Sequence, residues 1–129
     1  MSTGYDERLE PEECRRLLAS RSVARLAFVA VSGDVLVLPV TYTMDENGVL
    51  VFRTSHTGIL SHLAEGERVS VQVDDVAEDL HNGWSVLAHG LAHHYEGDVS
   101  LRSWVAGHDE VVIGITLDRL SGRAVSASG

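Results

Sequence analysis

The stretch VLVLPVTYTMDENGVLVFRT, residues 35–54, decides the fold class of this chain. Two runs rich in β-branched and aromatic residues, 35–44 and 49–54, flank the turn-forming tetrapeptide Asp-Glu-Asn-Gly at residues 45–48. An Asn-Gly pair tolerates the positive φ angles of tight hairpin turns. The stretch therefore predicts two antiparallel strands joined by a turn.

Similar strand patterns lie on both sides of this hairpin. Downstream, Val69, Val71 and Val73 alternate with polar residues, which is typical of a half-buried strand. Gly90 lies inside a long strand-like run and indicates a bend or a bulge there. Besides the hairpin, the predicted strands are residues 23–31, 68–76, 84–95 and 111–117, with a short one at 122–127.

Helical segments are few and short. Pro11 followed by Glu12 and Glu13 suits a first helical turn and predicts a helix at residues 9–20. Shorter helical segments are expected at 58–65 and 98–105. Strands in series without regularly alternating long helices favour an antiparallel barrel over a parallel α/β sheet. We therefore predict a mainly β fold, a six- to seven-stranded antiparallel barrel in one domain spanning residues 1–129, with residues 1–8 as a flexible tail.

Composition narrows the possible functions. The formal net charge of -9 disfavours binding to nucleic acid, and the sequence has no apolar run long enough to cross a membrane. Because the sequence contains no lysine, a Schiff-base lysine is excluded, and any anionic ligand must be held by arginine, backbone amides or hydroxyls. The polar N-terminus carries no signal-peptide core, so the expected location is cytoplasmic.

One segment has the residue types of a phosphate site. Residues 52–58, FRTSHTG, end a predicted strand and bring an arginine, hydroxyls and a glycine to the start of a helical turn. Hydroxyls, backbone amides and a guanidinium can together hold a phosphate. A plain polar loop between a strand and a helix fits the same spacing.

The histidines His89, His93 and His94 do not predict a metal site. In a strand, residues four apart are separated by about 13 Å, and adjacent residues face opposite sides. We therefore expect no bound metal at these residues.

Seven short segments are informative in combination. They are EECRRLL (12–18), RLAF (25–28), LPVTY (38–42), VFRT (51–54), VSVQVD (69–74), GWSV (83–86) and LSGR (120–123). Their order and spacing, from about Leu9 to Arg123, resemble those of the pyridoxamine 5'-phosphate oxidase-like, FMN-binding split-barrel superfamily.

The resemblance implies a homodimer with two flavin sites at the subunit interface and FMN as the cofactor. It implies that the isoalloxazine is lined by Pro39, Val40, Thr41 and Tyr42. The ribityl-phosphate tail is expected near Arg53, Thr54, Ser55 and Thr57. Trp84 and Ser85 are expected to contribute to the flavin site from nearby, across the subunit interface.

One position departs from the pattern of the superfamily. Relatives often have a basic residue, usually lysine, where this chain has Ile59. The loss of one cationic partner weakens the binding of a phosphate by roughly ten- to a hundred-fold.

The function implied by the resemblance is an FMN-dependent oxidoreductase whose small-molecule substrate is unknown. In such an enzyme the cofactor performs the redox step, so no catalytic acid or base is expected in the sequence. The alternatives are a deazaflavin-dependent reductase built on the same barrel, and a non-catalytic dimeric barrel that holds flavin or haem.

Overall fold

The computed structural model describes residues 5–97 and 110–126. These two ranges contain one α-helix, α1 (Pro11–Ala19), and one short 3₁₀ helix, Ser61–Glu65. No helix in these two ranges is long and apolar enough to cross a bilayer. The strands are β1 (Tyr5–Arg8), β2 (Val23–Val29), β3 (Val35–Met44), β4 (Leu50–Ser55), β5 (Glu67–Ala77), β6 (Asn82–His94) and β7 (Glu110–Ser126).

The strands form one antiparallel sheet that closes on itself. The strand order is β1-β7-β4-β3-β2-β5-β6, and β6 also pairs with β7 along its whole length. This extra pairing closes the sheet into a barrel, so the predicted mainly β, antiparallel barrel is confirmed. The hairpin at residues 45–48 is also confirmed, because β3 and β4 pair across it and Gly48 has a φ of 80°.

The barrel is split between β3 and β4. Their ladder covers three residue pairs, from Tyr42↔Phe52 to Met44↔Leu50. On its other side β3 pairs with β2 over seven residues, from Val35 to Thr41. The registered pairing of the two strands therefore ends at Tyr42 and Phe52, and we call the gap between β3 and β4 beyond this pair the cleft.

The core fills the barrel, and α1 covers part of it. Leu26, Phe52 and Ile113 are fully buried inside, and each such side chain contributes roughly 1.5–3 kcal/mol through its removal from water. The helix packs on β6 and β7 and buries Cys14 and Leu18. The single cysteine is thus a buried thiol of the core.

A β-bulge interrupts the pairing of β6 with β7 at Gly90. His89 is opposite Arg119, whereas Gly90 is opposite Leu117, so Asp118 is an extra residue on β7. A Cβ on Gly90 would lie 2.3 Å from the carbonyl oxygen of Thr116, which only glycine avoids. The bulge predicted from this glycine is confirmed.

Three expectations need correction or lie outside the described residues. Tyr5–Arg8, expected in a flexible tail, is a strand, because the long β7 offers its edge at residues 123–126. The predicted strands at 111–117 and 122–127 are one continuous strand of 17 residues, because the bulge bends the chain without ending the ladder. The helix expected at 98–105 lies outside the described residues.

Candidate functional site

The cleft between β3 and β4 presents one residue of each strand on its outer face. Side chains alternate along a strand, and Tyr42 and Phe52 both face the core. Thr41 and Arg53, the next residues beyond that last registered pair, therefore both face outwards at the point where the strands separate. Pro39 follows on the same face and is exposed.

Thr41 has a hydroxyl that the described residues leave unsatisfied. Its Oγ1 is buried and forms no hydrogen bond with any residue of 5–97 or 110–126. A buried hydroxyl without a partner costs about 1–3 kcal/mol. A ligand or a partner surface that reaches the cleft would remove this cost.

Arg53 is the cation of the cleft, and it is partly engaged. Its Nη1 donates to Oε2 of Glu110 at 3.3 Å, and the two side chains are 27% and 18% exposed. Glu110 begins β7 and lies opposite Ser55 of β4, two positions along from Arg53 and therefore on the same face of the sheet. An anion that binds Arg53 must therefore share it with a carboxylate.

A compact turn follows β4 beside Arg53. The N–H of Thr57 donates to Oγ of Ser55 at 3.3 Å, and the two hydroxyl oxygens are also 3.3 Å apart. The N–H of Gly58 donates to the carbonyl of Ser55. The helical turn expected directly after Gly58 begins only at Ser61, so the hydroxyls and Arg53 are the main polar groups offered here.

Three of the residues predicted for the flavin site have side chains that face the core. Val40, Tyr42 and Thr54 are buried on the inner side of the barrel. The Tyr42 hydroxyl donates to the carbonyl oxygen of Leu18, and burial raises the pKa of Tyr42 to about 12. Their inward orientation follows from the two-residue repeat of a strand. Of the residues predicted on β3 and β4, those with side chains towards the cleft are Pro39, Thr41, Arg53 and Ser55.

Trp84 and Ser85 are distant from the cleft within one chain. They lie on β6, which is separated from β3 by β2 and β5, so the distance along the sheet is about 14 Å. Trp84 lies at 5.1 Å from the guanidinium of Arg21, which stacks on its ring. One chain alone does not bring these residues to Thr41 and Arg53.

Ile59 and three of the histidines make contacts within the barrel. Ile59 is 53% exposed, and the imidazole of His62 bridges the carbonyl oxygens of Ile59 and Val29. His89 contacts Oγ of Ser70, and His93 contacts Oγ1 of Thr116.

Glu110 is the cleft residue that sequence reasoning missed. It is 57 positions from Arg53 in the sequence, and only the β4–β7 register brings the two together. The residues before it, 98–109, carried no strand pattern that would have indicated where β7 begins. An acidic residue at the start of a predicted strand was the one available signal.

Comparison with known proteins identifies relatives of the whole chain. The family model described as "Pyridoxamine 5'-phosphate oxidase" matches residues 10–124. No curated protein matches the sequence.

Solved structures with the same fold cover nearly the whole chain at low sequence identity. A candidate pyridoxamine 5'-phosphate oxidase from Corynebacterium glutamicum is 20% identical, with a TM-score of 0.74 and coverage of 96% of each chain. An FAD-binding protein from Mycobacterium smegmatis is 22% identical, with a TM-score of 0.73 over 93% of this chain and 98% of that one. An FAD- and haem-binding protein from the same organism is 17% identical, with a TM-score of 0.71 over 95% and 74%.

Proposed function

The chain belongs to the pyridoxamine 5'-phosphate oxidase family, and from this premise we propose that it binds FMN in the cleft between β3 and β4. In this proposal it is an FMN-dependent oxidoreductase that acts on a small molecule. Proteins with the same fold are described as binding FAD, or FAD and haem. The observation that carries the proposal is the unsatisfied Thr41 hydroxyl beside Arg53 in the split of the barrel.

The cleft residues fit a flavin in kind and in arrangement. Pro39 offers an exposed apolar ring on the outer face, and Thr41 next to it offers a buried hydroxyl to a polar ring edge. Arg53, Ser55 and Thr57 then continue along β4 and its turn and offer one cation and two hydroxyls to a phosphate. The apolar surface of Pro39 suits the flat ring of a flavin, and the hydrogen-bond donors along β4 suit its anionic tail.

The protein's own contribution in this proposal is binding and orientation. A bound flavin supplies electron transfer, and the protein fixes its position and limits the access of water. Thr41 would orient the ring by a hydrogen bond, and Arg53 would hold the tail by a charge-assisted one. The cleft offers no further cation at Ile59, so the phosphate end depends on Arg53.

A second copy of the chain completes the proposed site. The outer face of β2 and β3 exposes Val29, Val35 and Val37, the last two by 72% and 58%. In the described part of the chain, residues 35–41 of β3 have a ladder partner only on the β2 side. Exposed apolar surface beside an open strand edge marks an interaction site. A homodimer through this face would also allow Trp84 and Ser85 of the second copy to approach the cleft.

A non-catalytic barrel, or one that uses a deazaflavin, is the second candidate. The observation that favours the non-catalytic form is the ion pair of Arg53 with Glu110, which reduces the positive charge available to a phosphate. A barrel that holds haem belongs to the same alternative, since a protein of the same fold is described as binding FAD and haem. The absorption spectrum of the purified protein distinguishes a flavin, a haem and an empty barrel.

The test of the proposal is a titration of wild type and Arg53→Ala with FMN and with riboflavin. We expect Arg53→Ala to weaken FMN binding by roughly ten- to a hundred-fold and to leave riboflavin, which lacks the phosphate, nearly unchanged. Arg16→Ala is the matched control, because Arg16 is an exposed arginine of α1 with its own carboxylate partner, Glu13. Equal FMN affinity in wild type and Arg53→Ala would refute the assignment of Arg53 to the phosphate.

A further inference from the structure

The turn between β4 and the 3₁₀ helix is closed by short-range hydrogen bonds. The N–H of Gly58 donates to the carbonyl oxygen of Ser55, and the N–H and the hydroxyl of Ser61 both donate to the carbonyl oxygen of Gly58. Ile59 in this turn is exposed, whereas Leu60 after it is buried. Bonds that span three residues close a turn, but they do not fix its position relative to the rest of the barrel.

His62 connects this turn to a strand that is distant in the sequence. Its Nε2 lies 2.9 Å from the carbonyl oxygen of Val29, 33 positions away at the end of β2. Its Nδ1 lies 3.0 Å from the carbonyl oxygen of Ile59 in the turn. The ring also lies beside the ring of the buried Phe28, with 6.1 Å between their centres. Because the pairing of β2 with β5 ends at Ala27, His62 joins the turn to a part of β2 beyond that ladder.

Both partners of the His62 ring are carbonyl oxygens, which can only accept a hydrogen bond. A neutral imidazole has one N–H and one lone pair, so it donates to only one of them. The imidazolium has an N–H on each ring nitrogen and donates to both, and a hydrogen bond from a charged donor is the stronger kind. The placement of Ile59 and Val29 around His62 therefore fits the doubly protonated ring.

Charged side chains surround His62 without bonding its ring, as far as residues 5–97 and 110–126 are concerned. The titratable residues on the neighbouring ends of the elements around it are Asp34 after β2, Arg53 and His56 before the turn, Glu65 on its own helix, Glu67 and Arg68 on β5, His89, His93 and His94 on β6, and Glu110, Asp118 and Arg119 on β7. Carboxylates outnumber guanidiniums in this set, so the surroundings do not oppose a positive charge on His62.

We propose that His62 is a positioning residue for the phosphate end of the cleft. As an imidazolium it clasps the carbonyl oxygens of Ile59 and Val29, and it thereby fixes the turn that offers the hydroxyls of Ser55 and Thr57. The inference rests on the proposed function for the identity of the ligand, whereas the clasp itself needs no flavin. The clasp is complete while both ring nitrogens are protonated, and it loses one arm as the pH rises through the range in which histidine side chains ordinarily titrate, about pH 6.5.

The first test compares amide hydrogen exchange of flavin-free wild type and His62→Gln at about pH 5.5 and about pH 8, on either side of the ordinary histidine range. Glutamine keeps one uncharged donor, as the neutral ring does, and it leaves the core intact because His62 is only half-buried. We expect the amides of Thr57, Gly58 and Ser61 to exchange roughly five-fold faster in the variant at the lower pH and equally at the higher pH. His94→Gln, which removes an exposed histidine of β6, is the matched control and should equal wild type at both.

The second test titrates the same proteins with FMN and with riboflavin. Wild type should bind FMN roughly three-fold more tightly than His62→Gln at the lower pH and equally at the higher pH, and riboflavin should show no such difference. The titration of the phosphate itself cancels, because both proteins receive the same ligand. A wild type that binds no FMN would refute the proposed function, and the exchange data would still decide on the clasp. Exchange that is unchanged in His62→Gln, or faster by the same factor at both pH values, would overturn the inference, and so would a pH-dependent clasp without an effect on FMN.

Discussion

In our proposal the Arg53–Glu110 ion pair sets the strength of phosphate binding in the cleft, because it is the contact that a phosphate has to replace. We expect Glu110→Gln to tighten FMN binding roughly five-fold, since the competing carboxylate is removed, and to leave riboflavin unchanged. Parallel titrations of both ligands measure this. Glu13→Gln removes a comparable carboxylate from Arg16 on α1 and should change neither affinity. Weaker FMN binding in Glu110→Gln would show that the carboxylate positions Arg53 rather than competes for it.

Tyr42 has a structural role that gives it a signature at alkaline pH. Burial raises its pKa to about 12 from an ordinary value of 10.0. The neutral phenol is therefore favoured by folding, and the resulting stability is present below pH 10 and is lost as the pH rises through 12. The hydroxyl also donates to the carbonyl oxygen of Leu18, a bond that phenylalanine cannot make.

We expect Tyr42→Phe to lower the free energy of unfolding by about 1 kcal/mol at neutral pH, because the Leu18 carbonyl loses its donor. The gap between the two proteins should shrink by about 1 kcal/mol between about pH 8 and about pH 11, as wild type loses the contribution of its neutral phenol. Urea unfolding at the two pH values measures the gap. A gap that stays constant would contradict the link between burial and ionisation.

The β6–β7 bulge depends on one glycine. We expect Gly90→Ala to destabilise the protein by about 3 kcal/mol, because the added methyl would lie 2.3 Å from the Thr116 carbonyl oxygen, which is backbone and cannot move freely. Gly48→Ala is the control: it lies in a turn with φ of 80° and no heavy atom within 4 Å of the new Cβ, so only about 1 kcal/mol of backbone strain is expected. Melting curves and urea unfolding of both variants separate close contact from strain.

The elements predicted from the sequence are those that local chemistry specifies. The Asn47-Gly48 turn and the alternation in β5 needed no tertiary information, and Gly90 identified the bulge. Tyr5–Arg8 could not be predicted as a strand, because its four residues have no hydrophobic alternation and its partner is the far end of the chain.

The side-chain orientations in the candidate site could not be predicted from local sequence alone. A contiguous segment, 39–42, was assigned to the ligand as a whole, but a strand turns alternate residues to opposite faces, so Val40 and Tyr42 belong to the core. The pairing of Arg53 with Glu110 depends on the register of two strands far apart in sequence. Local sequence carries no information about such a register.

The outer face of β2 and β3 determines how whole molecules associate in our proposal. Val29, Val35 and Val37 are exposed on adjacent strands, and β3 has an open edge beside them. An isolated chain would leave this apolar surface in water and its edge available for pairing with other chains. Association of two copies through this face would bury both, and it would bring a second β6 towards the cleft.

We expect wild type to be a dimer and Val37→Glu to be a monomer, because a carboxylate in an apolar interface must be buried without a partner or must prevent association. The dissociation constant should rise by more than about a hundred-fold, as measured by sedimentation equilibrium. Val31→Glu is the control, since Val31 is 87% exposed in the turn after β2 and lies off this face.

FMN titration of the same variants tests the shared site. If Val37→Glu is monomeric and still folded, its FMN affinity should fall, because Trp84 and Ser85 of the second copy are removed. A wild-type monomer at micromolar concentration would contradict the interface, and an unchanged FMN affinity in the monomeric variant would show that one chain forms the whole cleft.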